Sequence, residues 1–276
     1  MAERPLRLLI IGAHPDDADY AAGGTAALYR QAGHDVRMVS LTNGDAGHHE
    51  APGPALARRR GAEAAAAGAI IGAPYEVWDQ HDGELQPTLE LRRRVIRLLR
   101  SYAPDLVLTH RLNDYHPDHR YTSQLVQDAA YLVTVPAIEP EARHLARDPV
   151  IAYLSDEFRK PYPFAPAVAV DVGPVLERVV DMLDCHVSQF YEWLPYNQGK
   201  LAQVPTGAVE RRAWLAEQVR ARARRQAERF RDLLTKIYGV RHGSAIEYAE
   251  AFEPCEYGTP LDEAARGRLF PFLPPG

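Results

Sequence analysis

The alternation of short, largely apolar runs with helix-patterned stretches constrains this chain most. Residues 6–11, 36–42, 75–78 and 105–109 read as strands, and the first and last have the make-up of strands buried on both faces, as in parallel sheets. Helical stretches separate them. Residues 21–31 are rich in small side chains and close at Gly33, and residues 55–68 set Arg and Glu against a run of alanines. Residues 88–102 carry an apolar stripe of Leu89, Leu91, Val95, Ile96, Leu98 and Leu99. Strand–helix alternation implies right-handed βαβ units, hence an α/β, Rossmann-like three-layer fold with a mostly parallel sheet. Further strands are expected at 150–154 and 167–172, with helices at 174–191 and 208–238. The proline-rich segment 136–166 reads as mostly loop, and the tail from 253 shows little periodicity. Residues 1–200 are expected to form the α/β domain, and 201–276 a helical extension packed on it.

Charge and cysteine usage narrow the function classes. Thirty-two Lys and Arg against 37 Asp and Glu leave a net charge of −5 over 276 residues, which argues against a nucleic-acid binder. Two cysteines, Cys185 and Cys255, are too few for a disulfide scaffold or a cysteine-rich zinc module. The apolar run at 8–11 is too short for a leader segment or a membrane span. A cytoplasmic protein with no membrane partner is expected.

Ligands of open parallel sheets bind beyond the carboxyl ends of the strands. There, directly after the first strand, stands Ala13-His14-Pro15-Asp16-Asp17. A dinucleotide site would have a glycine-rich turn at this point to admit a pyrophosphate, whereas an imidazole with two carboxylates attracts a cation. Taken alone, the segment also reads as a tight turn with an Asp helix cap. A second cluster, Asn113-Asp114-Tyr115-His116-Pro117-Asp118-His119, follows the 105–109 strand, so two strand ends deliver His and Asp to one sheet edge. A catalytic zinc ion takes three such ligands and keeps one position for water. His14, Asp17 and His119 supply that set, with Asp16 as the spare carboxylate beside the water. His116 is placed to donate to an oxyanion, and Asp118 to orient an imidazole from behind.

The AHPDD and HPDH motifs, in this order and at these strand ends, resemble those of the zinc-dependent N-deacetylases of the PIG-L (LmbE-like) family. The resemblance extends to Gly23-Gly24-Thr25, to 41–47 after the second strand, to Arg60 and Glu63, and to His186-Val187-Ser188-Gln189. It implies removal of acetyl from an N-acetylglucosaminyl compound, a small-molecule partner. It also implies one zinc per chain on His14, Asp17 and His119, Asp16 as general base, and His116 as general acid or oxyanion partner. Iron(II) also suits such a set. One departure is Asp45, where the family more often carries Glu.

Arg60, Asp82 and His186 are candidate substrate contacts. Arg60 also reads as part of a solvated helix face, and His186 as a packed histidine. The arginine-rich stretch 208–238 and the aromatic patch of Trp193 and Tyr196 suit a homo-oligomer contact; the aromatic pair also suits stacking on a sugar ring. Two rival functions remain. His14-Pro15-Asp16 with His119 also fits the H-x-D…H triad of non-haem iron oxygenases, in which Asp16 ligates. The other rival is a non-catalytic sugar- or metal-binding protein.

Overall fold

The computed structural model describes residues 4–274. In chain order its elements are β1 (Arg7–Gly12), α1 (Asp17–Gln31), β2 (Asp35–Ser40), α2 (Pro54–Ile70), β3 (Tyr75–Val77), α3 (Leu89–Tyr102), β4 (Leu106–Thr109), α4 (Pro117–Ala130) and β5 (Val150–Leu154). They continue with β6 (Val168–Asp171), α5 (Leu176–Asp184), α6 (Leu194–Asn197), α7 (Ala208–Arg229), α8 (Arg231–Tyr238), α9 (Val240–Gly243), β7 (Ala249–Pro254) and α10 (Glu263–Leu269). The sheet order is β3-β2-β1-β4-β5-β7-β6. The first five positions are parallel, and β7 runs antiparallel to both of its neighbours. Chain direction across the sheet reverses between β1 and β4, which places the topological switch point, and its crevice, between the ends of those two strands.

Alternation along β1 builds both sides of the core. Leu8 and Ile10 face α1, α5 and α7, while Leu9 and Ile11 face α3 and α4. α3 illustrates the local logic. Thr88 accepts the Leu91 N–H at 3.3 Å as its N-cap, and Leu91, Val95, Ile96, Leu98 and Leu99 are buried. Each such side chain contributes about 1.5–3 kcal/mol.

The helices depart from the sequence reading in four places. α1 starts at Asp17 rather than at 21, and it breaks at Ala22, whose φ of −143° is non-helical. α4 was not foreseen; Pro117 opens it and Leu125, Val126, Ala129 and Ala130 are its buried face. The stretch 174–191 is not one helix: α5 ends at Asp184, where His186 turns inward onto Asp19, 2.7 Å away. Likewise 208–238 is divided at Phe230.

The segment 201–276 is not purely helical, because β7 lies inside the sheet between β5 and β6. Its apolar pattern is interrupted by Glu250 and Glu253, both buried and both accepting main-chain N–H groups. Glu250 takes the N–H of Gly24 and of Thr25, each at 2.8 Å, and so caps the second half of α1 from 225 residues away. α7 buries Leu215, Ala216, Val219, Ala223 and Ala227 and rests on α5. No helix among the described residues is long and apolar enough to cross a membrane.

Candidate metal centre and active site

The two motifs meet at the β1/β4 switch point. After β1 the chain turns through His14, and Asp16 occupies the N-cap position of α1 without its side chain capping the helix. Asp17 instead reaches back, its Oδ2 accepting the N–H of Ala13 at 2.9 Å and of His14 at 2.7 Å. β1 ends in glycine for this reason: a Cβ on Gly12 would lie 2.6 Å from the Asp17 Cβ. After β4, His116 caps α4 through Nδ1, which accepts the Asp118 N–H at 3.2 Å, and His119 follows within the first turn.

His14 Nδ1 lies 3.2 Å from His119 Nε2. Asp17 meets the first nitrogen through Oδ2 at 3.4 Å and the second through Oδ1 at 3.5 Å. Donors at about 2.0–2.1 Å from a tetrahedral ion stand about 3.3–3.4 Å apart, so these side chains fit one metal ion. The outer nitrogens fit as well. His14 Nε2 faces Asp82 at 3.1 Å and Asp118 at 3.4 Å, and His119 Nδ1 faces Asp114 at 3.1 Å. Both are buried, and a carboxylate behind each imidazole is the usual companion of a ligating histidine. Asp17, Asp82, Asp114 and Asp118 thus gather four carboxylates within 3.5 Å of two imidazoles, a set that calls for a compensating cation.

Titration follows from this crowding. Burial opposes charge on His14, yet Asp118, Asp17 and Asp82 outweigh it and hold the imidazole well above its usual range. Asp17 is held well below the usual carboxylate range, because His119 and His110 outweigh the burial that opposes its charge. His116 moves down, through burial and then through His14 and His119. With Nδ1 accepting from the backbone, the neutral His116 ring carries its proton on Nε2.

Asp16 lies apart from the carboxylate set. Its Oδ1 accepts from Arg60 at 3.0 Å, and Arg60 also holds the Gly44 carbonyl at 3.1 Å and faces Asp82 at 3.6 Å. Gly44, at φ +70°, leaves room for the guanidinium, which a side chain there would meet. Asp45 fastens the neighbouring loop by accepting from His81 at 2.7 Å and from the Asp82 N–H at 3.1 Å.

A pocket of about 600 Å³ opens over these groups, lined by His14, Asp16, Asp17, His116 and His119. Arg60 and Asp82 line it too, but their charges are directed at Asp16 and His14 rather than outward. His186 does not line the pocket: it is 0% exposed, bonded to Asp19 behind α1, so its expected contact with substrate is corrected to a packing role. Trp193 lines the pocket, whereas Tyr196 stacks on His49 with ring centroids 3.8 Å apart. His110, to which the sequence reading gave no part, stacks on His119 at 4.0 Å and approaches Asp17 at 3.2 Å. Its position one residue past β4, at the same sheet edge, was the available signal. The H-x-D…H alternative requires Asp16 among the ligands, whereas Asp17 sits between the imidazoles and Asp16 faces Arg60.

The family model described as GlcNAc-PI de-N-acetylase, PIG-L, matches residues 9–130, which hold both motifs. Diacetylchitobiose deacetylase of Thermococcus kodakarensis is 30% identical over 201 residues, covering 69% of this chain and 74% of that protein. 4-Oxalmesaconate hydratase of Pseudomonas putida is 26% identical over 198 residues, covering 69% and 76%. Among solved structures, N,N'-diacetylchitobiose deacetylase from Pyrococcus horikoshii shares the fold, with a TM-score of 0.70 at 22% identity over 90% of this chain and 83% of that one. The motifs, the fold and these likenesses agree: the chain belongs to the PIG-L family.

Proposed function

We propose that this chain is a metal-dependent hydrolase that removes an N-acetyl or similar N-acyl group from an N-acetylglucosamine-type amino sugar or its glycoside. The observation that carries the reading is the juxtaposition of one ion-sized donor set, His14, Asp17 and His119, with a carboxylate, Asp16, that lies outside that set and lines the same pocket. Zinc is the ion we assign to the site, with iron(II) as the alternative. The likeness to N-acetylglucosamine-type deacetylases supports the substrate class.

A divalent ion in this set supplies a Lewis acid for the amide carbonyl and lowers the pKa of a water towards ~7. Asp16 takes the proton of the attacking water. Arg60, bonded to Asp16 Oδ1, keeps the carboxylate oriented and leaves Oδ2 for that proton. His116 donates from Nε2 to the carbonyl oxygen as negative charge develops on it. The C–N bond then breaks, and the proton held by Asp16 passes to the leaving amine. Asp82, Asp114 and Asp118 act from behind the imidazoles, fixing which nitrogen of each ring faces the ion.

The Pseudomonas putida relative favours a second reading, hydratase activity. An organic-acid substrate of the kind that name implies needs unpaired cations beside the reacting carbon. Here Arg60 is paired with Asp16, and Arg111 holds Asp156 through two contacts of 2.6 Å. Both of these cations are thus already neutralised, which favours a neutral amide beside them. The test is to incubate the zinc-loaded protein with N,N'-diacetylchitobiose and with N-acetylglucosamine glycosides, measuring acetate and free primary amine. Release of both in equal amounts supports the proposal. Water addition to an unsaturated acid, with no acetate from any glycoside, overturns it.

A further inference from the structure

Glu63, Ser188 and Gln189 take no part in the hydrolytic steps, yet they are bonded to one another beside the pocket. Residues 188–193 form a single π-helical turn, a widened form that recurs at functional sites. The His186 carbonyl accepts two N–H groups there, those of Gln189 and Phe190, each at 3.0 Å. From this turn Gln189 lines the pocket while being only 2% exposed.

Hydrogen bonding fixes which end of the Gln189 amide stays free. Ser188 Oγ donates its one proton to Glu63 Oε2 at 2.6 Å, and the Ser188 N–H goes to Glu63 Oε1 at 3.0 Å. The hydroxyl oxygen can then only accept, and it takes one Gln189 Nε2 proton at 3.1 Å. The other Nε2 proton goes to the Gly47 carbonyl, also at 3.1 Å. Turning the amide over would set its oxygen against two acceptors, so Nε2 is committed to the protein and Oε1 is left over. No donor among the described residues bonds to Oε1. A Cβ on Gly47 would lie 3.6 Å from Oε1, 3.3 Å from Asp82 Oδ2 and 2.8 Å from Arg60 Nη1. The oxygen therefore stands in the corner of the pocket beside the guanidinium that holds Asp16.

A nearly buried acceptor with both amide protons already spent calls for a donor from the ligand. Arg60 disfavours a cation in this corner, and the oxygens of Gln189 and Asp82 disfavour an anion, which leaves an uncharged hydroxyl. We propose that Gln189 is a specificity-determining residue whose Oε1 accepts a hydrogen bond from one hydroxyl of the sugar that bears the scissile amide. The assignment rests on the deacetylase reading and deepens it, since it makes turnover depend on a hydroxyl at one position of that sugar.

The test measures acetate release by the zinc-loaded protein from methyl N-acetylglucosaminide and from its 3-deoxy, 4-deoxy and 6-deoxy analogues. Stranding one uncharged, nearly buried acceptor predicts that one of the three analogues loses about 5–150-fold in kcat/KM, and that analogue identifies the hydroxyl. Gln189→Met keeps the length of the side chain but has no acceptor oxygen. In that variant the complete glycoside should fall by a similar factor, and its advantage over the same analogue should shrink to about twofold or less. General damage to the site would lower all four glycosides alike and leave the difference between them in place. A thermal melt and metal analysis establish that the variant is folded and loaded. Equal kcat/KM for all four glycosides with the unaltered protein overturns the assignment while leaving deacetylation intact. A larger advantage that persists in the folded, metal-loaded variant does the same. Failure to release acetate from any of the four removes the deacetylase reading and the assignment with it.

Discussion

Replacing Asp16 with Asn separates the roles that the geometry gives to the two adjacent aspartates. Asn keeps an oxygen for the Arg60 contact at 3.0 Å but cannot hold the proton of the attacking water. A general base contributes about 10²–10⁴ in rate, so kcat/KM for an N-acetylglucosamine glycoside should fall by that factor, about 2.7–5.4 kcal/mol. The fold should notice far less. A charge-assisted bond becomes an ordinary one, a loss of about 1 kcal/mol, which lowers Tm by about 2–4 °C. Metal content, measured on dialysed protein, should equal that of the parent, because the proposed donor set of His14, Asp17 and His119 leaves Asp16 out. Acetate release, a thermal melt and metal analysis on one preparation give all three numbers. A rate within threefold of the parent would refute the base assignment. Loss of the metal with loss of rate would instead make Asp16 a ligand and restore the H-x-D…H arrangement.

Other expectations follow from the same contacts. Asp114→Asn removes the charge behind His119 Nδ1 and should weaken metal affinity about 10–100-fold, read by competition with a chromogenic chelator; unchanged affinity would count against its orienting part. Glu250→Ala strands two buried N–H groups and the Thr25 hydroxyl, and should cost about 2–5 kcal/mol in a denaturant melt; a loss below about 1 kcal/mol would show that water replaces the carboxylate. The metal-induced rise in Tm should grow with pH. His14 is raised above the usual imidazole pKa of about 6.5, so its paired, protonated form stabilises the metal-free protein fully below that pH. That contribution is lost as pH climbs through the raised value, while the ion needs the neutral ring, so the gain in Tm from the ion should widen above pH ~6.5. A gain that is flat or falling with pH would remove His14 from the ligand set.

How far the sequence revealed the site depended on what each residue does for the backbone. β1, β4 and β5 were legible because strands buried on both faces need largely uninterrupted apolar runs, and the motifs follow two of them. β7 was not, because two of its residues are buried carboxylates serving distant N–H groups, and no local pattern announces a partner 225 positions away. α4 was hidden by the chemistry at its start, where His116, Asp118 and His119 displace the apolar positions that a helix pattern leads with. Arg60 read both as a substrate contact and as part of a solvated helix face, and it is 2% exposed; only the fold shows that Gly44 makes space for its guanidinium beside Asp16. His186 read both as a substrate contact and as a packed histidine, and no local pattern decides between them, since its partner Asp19 lies on α1 and draws it away from the pocket.

The site also forgoes stability that ordinary residues would supply. Asp16 stands where an N-cap aspartate usually contributes about 0.5–2 kcal/mol, but its carboxylate turns to Arg60 and leaves the first turn of α1 uncapped. Asp17 uses one oxygen to hold the Ala13 and His14 N–H groups, a job that fixes the loop and presents the carboxylate to both imidazoles at once. α1 then breaks at Ala22 and needs Glu250 to restart it. An α-helix optimised for its own stability would have one cap and no break. Here the first turn is bent to serve His14, Asp16 and Asp17, and the capping contact has moved to the far end of the chain. Stabilising substitutions at 16, 17 or 22 should therefore raise Tm and lower turnover together, since each would straighten the turn that brings the motif against His119.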